Sequence, residues 1–457
     1  MALFAWMYRA SSDGPAPGGA PLYRKLRPRP NGPTRDEVEH NQRSRLQGAT
    51  IEAMDKHGYD ATSVAELCRL AGVSKRTFYE QFHNKEECFL STFDRVAGCG
   101  IERIAVAQGE ASGWDAGLHA IVGALAQAVL DVPKAAHLVF LEALTAGPAT
   151  LAHRDGARRD IERMLVASFD GAACGAALPE AVAAGIVFGI ERTVRGCLRG
   201  GRSAEIVRIA DELAEWALPY GSPALADLAP AALRSGGDRA QSMLPPRPSA
   251  RHGSGHTRIV RAAAEITAEE GYEKLTAAKI ARRAGIPEAA YWVAYRSTEE
   301  CYLDALDRVC LEALLASVRA ARTADDPLVG MHRGLSTLLH CVAIDPVLRS
   351  VAFVEVFAAG PDAVECSERF IGRLMDLLTE CLAPSRETPG VTLETSSGAL
   401  WGLVSSHALR GDGNLRALAP HASYLALTPL VGAEAAIRAI ASGEQAAGET
   451  WETVAQP

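Results

Sequence analysis

The chain repeats itself. Shifted by 213 positions, Arg43–Val96 lies on His256–Val309 without a gap and with 16 identities in 54 pairs. Unrelated stretches would share about three or four, since common residues each make up about 5–10% of a chain. The same offset pairs Pro133 with Pro346, Ala146-Gly147-Pro148 with Ala359-Gly360-Pro361, and Gly185 and Gly189 with Gly398 and Gly402. The duplicated block therefore covers roughly 43–220. Each copy is long enough to fold by itself, and two copies are too few for a solenoid. Any architecture proposed for one copy must also suit the other.

Apolar spacing in both copies is helical. Leu46, Thr50, Ala53 and His57 share one predicted face, and Val64, Leu67, Cys68 and Ala71 share another. Alternating β-branched runs with hairpin turns are missing. Both copies are predicted to be all-α, each with three short helices followed by about six longer ones. The expected division is a flexible basic tail (1–36), a helix-turn-helix head (37–98), a helical domain (99–220), a linker (221–255), a second head (256–311), a second helical domain (312–440) and a tail (441–457). The tail bases Arg24, Lys25, Arg27 and Arg29 suit either a solubilising arm or a minor-groove arm.

Within the first head, helix one is expected over about Arg43–His57, stopped by Gly58. Thr62 or Ser63 caps helix two, Ser74 caps helix three (Lys75–Phe82), and Asn84 caps helix four with Glu87 at the capping-box position. Two short helices about a tight Ala-Gly-Val turn form the arrangement that places a helix in the major groove of DNA. Lys75, Arg76 and Lys85 sit in first turns, where a cation opposes the helix dipole by about 0.3–1 kcal/mol. Residues kept against that cost suit a phosphate partner.

The second head removes the conflict. Lys75, Arg76, Thr77 and Lys85 correspond to Glu288, Ala289, Ala290 and Thr298, while Ser74 corresponds to Pro287 and Tyr79 to Trp292. The apolar framework stays, as Leu46/Ile259, Leu67/Ile280, Phe78/Tyr291 and Phe82/Tyr295 show. The fold is kept and the DNA-reading surface is lost.

The run GYDATSVAELCRLAGVSKRTFYEQFHNKEECFLSTFDRV resembles the N-terminal domain of TetR-type transcriptional regulators, and GYEKLTAAKIARRAGIPEAAYWVAYRSTEECYLDALDRV resembles the same domain with its contact residues lost. The resemblance implies an all-α fold, dimerisation through the last two helices of each domain, and release from an operator when a small molecule binds. It carries contact with double-stranded operator DNA onto Thr62, Ser63, Lys75, Arg76, Thr77, Tyr79, His83 and Lys85, and onto nothing in the second head. Two fused copies depart from the family's single-copy chain. An intramolecular pseudo-dimer between the copies is expected, with a homodimer as the alternative. The pairing segments would be Glu180–Arg199 with Ser203–Pro219, and Leu393–Arg410 with His421–Leu430.

Trp114, Phe140, Phe188, Phe353, Phe357 and Trp401 are candidates for lining the cavity of a small apolar or amphipathic effector, although aromatics at helical spacing are more often core. His137, Glu142, Arg192 and His407 are candidate polar anchors. Net charge is −8, so a nucleic-acid site would have to be local. The ten cysteines lack CxxC or Cys/His ligand spacing and suit buried positions in a reducing compartment. The opening MALFAWMYRA is too short for a signal-peptide core, and no uncharged run is long enough to span a bilayer. With no phosphate loop, metal cluster or nucleophile elbow, neither a cofactor nor an enzyme is expected. The prediction is a cytoplasmic, nucleoid-associated repressor. A helical ligand- or partner-binding scaffold that has lost DNA binding is the alternative.

Overall fold

The computed structural model describes residues 32–169, 177–228, 254–380, 390–411 and 414–454. The basic tail at 24–29 and most of the linker lie outside them. Helices form every regular element among the described residues, in two compact units. One unit holds the residues up to 112 with 116–164 and 194–211. The other holds 113–115, 165–193 and the described residues from 212 onward.

The first unit opens with a three-helix head: α1 (Arg35–Ala61), α2 (Val64–Ala71) and α3 (Lys75–Gln81). Then come α4 (Lys85–Gly109), α5 (Gly113–Asp131), α6 (Pro133–Phe140), α7 (Pro148–Phe169), α8 (Glu180–Arg199) and α9 (Ile206–Ala217), the last few shared with the second unit. Helix α1 begins at Arg35 rather than the predicted Arg43. Thr34 accepts from Glu37 N–H, and the Glu37 carboxylate accepts from Thr34 N–H at 2.8 Å, a complete capping box. At the other end Gly58 takes φ 75°, which breaks the helical path where predicted. Leu46, Ala53, Leu67, Phe78 and Phe82 form the head's core. Ile51, Phe89 and Phe93 seat the head on α6 through Val132 and Leu138. Burying each such side chain is worth about 1.5–3 kcal/mol. Of the predicted first face, Leu46, Thr50 and Ala53 are buried and His57 is exposed.

In the second unit the head recurs as α10 (Gly255–Glu270), α11 (Ala277–Ala284) and α12 (Glu288–Ala294). It is followed by α13 (Thr298–Ala321), α14 (Pro327–Ile344), short α15 (Pro346–Arg349) and α16 (Val356–Ala359), α17 (Pro361–Thr379), α18 (Gly390–Arg410), α19 (Ala419–Val431) and α20 (Ala433–Val454). Helix α20 runs well beyond the predicted domain end at 440. Gly432, with φ 84°, stops α19, and an alanine-rich segment then restarts the helix with Ala436 and Ile440 buried. His332 ties three helices together. Its Nδ1 lies 2.8 Å from Ser423 Oγ and its Nε2 lies 3.1 Å from Glu444 Oε1. In the first copy, the described residues up to 228 form short 3₁₀ turns at the start of the matching stretch, Leu218–Gly221 and Pro223–Asp227.

The repeated glycines mark a close helix crossing inside the second unit. A Cβ on Gly402 would collide with the Phe188 ring, one on Gly398 with Arg192 Cβ, and one on Gly185 with Leu425. On Gly189 it would sit 2.8 Å from the Thr395 carbonyl oxygen, which no rotamer change can move aside. Eight cysteines are described, all unbridged, and all but Cys99 are buried. Burial pushes the Cys88 thiol up to about 12, so it packs as a small hydrophobe.

Candidate nucleic-acid interface

Helix α3 is held by its neighbours and free on its outer side. Ser74 caps it by accepting from Thr77 N–H at 3.0 Å, and Gly72, in the left-handed region at φ 59°, makes the turn from α2. Phe78 and Phe82 anchor the helix in the head's core. That leaves Lys75 and Arg76 exposed in the first turn, and Tyr79 57% exposed with its ring edge-on to Phe78. Arg76 pairs with Glu80 at 3.0 Å, but its side chain is 90% exposed, so the pair contributes little and gives way easily. Ser63 caps α2 at the surface, and Thr77 is half-buried with its hydroxyl on Ser74. His83 is exposed and bonds Glu87. Glu87 also accepts from His83 N–H at 2.6 Å, not from the cap residue Asn84 as the capping box predicted.

Two of the eight predicted contact residues have internal roles. Thr62 is 3% exposed and its hydroxyl donates to Gly58 C=O at 2.7 Å, so it shapes the turn into α2 and presents no polar group outward. Lys85 donates to Tyr59 C=O at 2.8 Å, with Nζ 4.1 Å above the Tyr59 ring. The cost of a cation at that helix start is offset locally, by about 0.5–1 kcal/mol from the ring alone. Lysine at this position is therefore not by itself a sign of DNA.

Sequence reasoning missed the framework that both heads share. Arg45 donates to the carbonyls of Ala71 and Gly72, and Arg258 does the same to Ala284 and Gly285. The Glu142 carboxylate accepts from Tyr59 N–H at 2.6 Å, and Glu355 accepts from Tyr272 N–H at 2.8 Å. Both tyrosines follow the positive-φ glycines Gly58 and Gly271. Each head is thus clamped to its own helical domain at the end of its first helix. Arg45/Arg258, Gly58/Gly271 and Tyr59/Tyr272 were among the identities of the repeat, and that was the signal available. The base that holds the turn, Arg45/Arg258, is retained, whereas Lys75 and Arg76 on the outer side of α3 are lost.

Burial holds the Glu142 carboxyl above its ordinary range, against the opposing pull of Tyr59 N–H and His137. A raised carboxylate pKa stabilises the fold below the unfolded value of about 4.5 and loses that contribution as pH rises through the folded value. Glu142→Gln keeps an acceptor for Tyr59. Its melting temperature relative to the native chain should therefore improve as pH climbs from 4 to 7 in a thermal-melt series. A constant difference would remove Glu142 as the titrating group.

The face of α12 is chemically different. Glu288, Ala289 and Ala290 are exposed, Val293 is 90% exposed, and Trp292 donates from Nε1 to Glu288 at 3.3 Å. Pro287 offers no side-chain cap. The nearby bases Lys279 and Arg283 are paired with Glu270 and Glu269.

Five of the six candidate effector aromatics make packing contacts. Trp114 donates to Leu218 C=O at 3.0 Å and stands edge-on to Phe169. Phe188 fills the space over Gly402, and Phe353 is fully buried near Phe370. Phe357 lies 5.8 Å from Trp401, whose Nε1 donates to Ser367 at 2.7 Å, and Phe140 is half-buried. Among the proposed polar anchors, Arg192 and Glu142 are paired as described here and below, and His407 bonds Leu403 C=O. A cavity of about 430 Å³ opens elsewhere, between α10, α13 and α17, lined in part by Val260, Arg261, Leu311, Phe370 and Arg373. None of the six candidate aromatics lines it. No single described helix is long and apolar enough to cross a membrane.

Two short helices about a left-handed glycine, packed under a longer first helix, define a helix-turn-helix head, here present twice. Residues 48–92 and 259–305 both match the family described as bacterial regulatory proteins, tetR family. Both heads are thus TetR-like, and the chain carries them in two tandem all-α copies, each a head followed by further helices. No curated protein matches it. Among solved structures it is similar to the fatty acid degradation regulator FadR from Bacillus halodurans, with 17% identity over 39% of this chain and 94% of that one, at a TM-score of 0.36. It is also similar to the transcriptional regulator FadR from Bacillus subtilis in complex with stearoyl-CoA (19% identity, 38% and 96% covered, TM-score 0.35). A TetR family transcription regulator from Marinobacter aquaeolei VT8 shares 23% identity over 38% of this chain and 93% of that one, at a TM-score of 0.31.

Proposed function

We propose that the chain is a transcriptional regulator, a repressor, that binds operator DNA through its first head and answers to a small apolar or amphipathic effector. The observation that carries this is the outer side of α3: exposed Lys75, Arg76 and Tyr79 on a helix whose inner side is fixed by Phe78 and Phe82. The second head is structural. The two copies form an intramolecular pseudo-dimer, supported by the α8–α18 crossing within one compact unit. A tether of about 35 residues holds the copies at about millimolar effective concentration, which outcompetes a second chain. Light scattering on the purified protein should give one chain mass, 48.4 kDa. A stable mass of twice that at nanomolar concentration rejects the pseudo-dimer.

One competent head implies an asymmetric operator with a single demanding half-site. Recovery and sequencing of genomic DNA bound to the tagged protein tests this, and the absence of any enriched sequence rejects the assignment. The scaffold reading expects that negative result. It draws support from the apolar Trp292/Val293 face, which suits a protein partner better than a phosphate backbone.

For the effector, the cavity beside α10 is a candidate site. A ligand at 100 times its dissociation constant adds about 2.7 kcal/mol of stability. Apolar small molecules that raise the melting temperature should weaken operator binding by the same factor by which DNA weakens theirs. A thermal shift with unchanged operator affinity would separate the cavity from regulation.

A further inference from the structure

Three consecutive residues of α18 receive polar partners from the first copy, all inside the second unit. Glu394 accepts from Arg192 Nη1 at 2.9 Å. The Thr395 hydroxyl pairs with that of Thr193 at 2.9 Å. Ser396 accepts from Trp216 Nε1 at 3.1 Å. Arg192 also reaches Glu368 of α17 through Nε at 3.0 Å, and that carboxylate is 1% exposed.

The repeat makes these contacts informative. The 213-residue offset carries Glu394-Thr395-Ser396 onto Ala181-Val182-Ala183. It carries Arg192, Thr193 and Trp216 onto Ser405, Ser406 and Pro429. The acceptors therefore exist only in the second copy, and the arginine and indole donors only in the first. The glycines that permit the crossing are common to both copies, so shape alone does not choose a mate.

Like-with-like pairing fails on both sides. If the first copy met another first copy, Arg192 and the Trp216 N–H would face Ala181 and Ala183, which accept nothing. If the second met another second, Glu394 would face Ser405 in place of Arg192. A buried donor or carboxylate without its partner costs more than the bond contributes. Any two-chain assembly built from like pairs needs both mismatches at once.

We propose that Glu394-Thr395-Ser396, with Arg192, Thr193 and Trp216, is a pairing code: the α8/α9 surface of the first copy fits the second copy and rejects another first copy. This rests on the pseudo-dimer reading and adds that side chains, not the tether alone, select the mate.

The test uses two differently tagged full-length chains. One carries Glu394→Ala, Thr395→Val and Ser396→Ala. The other carries Arg192→Ser, Thr193→Val and Trp216→Phe. Co-expressed, the two variants should capture each other about tenfold more than two native chains do, through the one intact surface each retains. Neither should capture itself to that extent. Equal capture in all combinations, or no capture between the variants, overturns the code. Native chains that capture one another reject the pseudo-dimer reading instead, and leave the ranking of the variant pairs to judge the code. If either triple variant does not fold, a thermal-unfolding cycle of Trp216→Phe and Ser396→Ala decides. The double variant should melt at least about 2 °C above the additive expectation. Strict additivity overturns the proposal.

Discussion

With Lys75→Glu and Arg76→Ala, the full chain should lose at least about tenfold in operator affinity, and its salt dependence should shallow by about two units of log–log slope. Each phosphate contact releases close to one counterion, so two lost contacts remove about two units. A charge-assisted hydrogen bond contributes about 1.5–3 kcal/mol, and 1.4 kcal/mol is a factor of ten. The variant copies the residues that the second head already carries at Glu288 and Ala289, so the fold is known to accept them. Both side chains are exposed, and stability should not change measurably. Band shifts at several salt concentrations read affinity and slope together. An unchanged slope would mean that α3 does not lie on phosphates. Lys85 is left out of this pair because its bond to Tyr59 would mix a stability effect into the measurement.

Gly402→Ala should destabilise the second unit strongly. Its Cβ would enter the Phe188 ring at the point where α8 and α18 cross. Overpacking of this kind costs about 1–3 kcal/mol, which lowers the melting temperature by roughly 2–10 °C in a domain of this size. The control is Gly372→Ala in α17, where nothing lies within 4 Å of the added atom. There alanine favours the helix by about 0.5–1 kcal/mol, so the same change should stabilise. Calorimetry on the two variants should give opposite signs. Equal melting temperatures would mean that the crossing is looser than described.

The parts of this structure legible from sequence are those the repeat counted twice. The head's core, its caps at Ser63 and Asn84, and the glycine turns recur at a fixed offset, and helical periodicity supplied the rest. The start of α1 was missed although Thr34 and Glu37 spell a capping box, because the Pro- and Gly-rich run before them pointed to a tail. Helix α20 was missed because it lies beyond the duplicated block, whose pairing ends near 220 and 433. At the interface, residue type identified Lys75 and Arg76 as outward-facing but could not distinguish Lys85, which folds back onto Tyr59. Partners such as Glu142, 83 positions from Tyr59, leave no local pattern at all. The aromatics proposed for an effector were large enough to line a cavity, yet size cannot tell a wall from a filling.

The contacts made by Arg192 exist once per molecule. In an assembly of two identical chains every substitution is imposed twice, and an arginine at a twofold crossing must tolerate its own image. Joining the halves in one chain lifts that restriction. Each half can accept mutations the other does not share, so one head can abandon its ancestral surface while its twin preserves it. Duplication followed by fusion thereby turns a symmetric object into one with a distinguishable left and right.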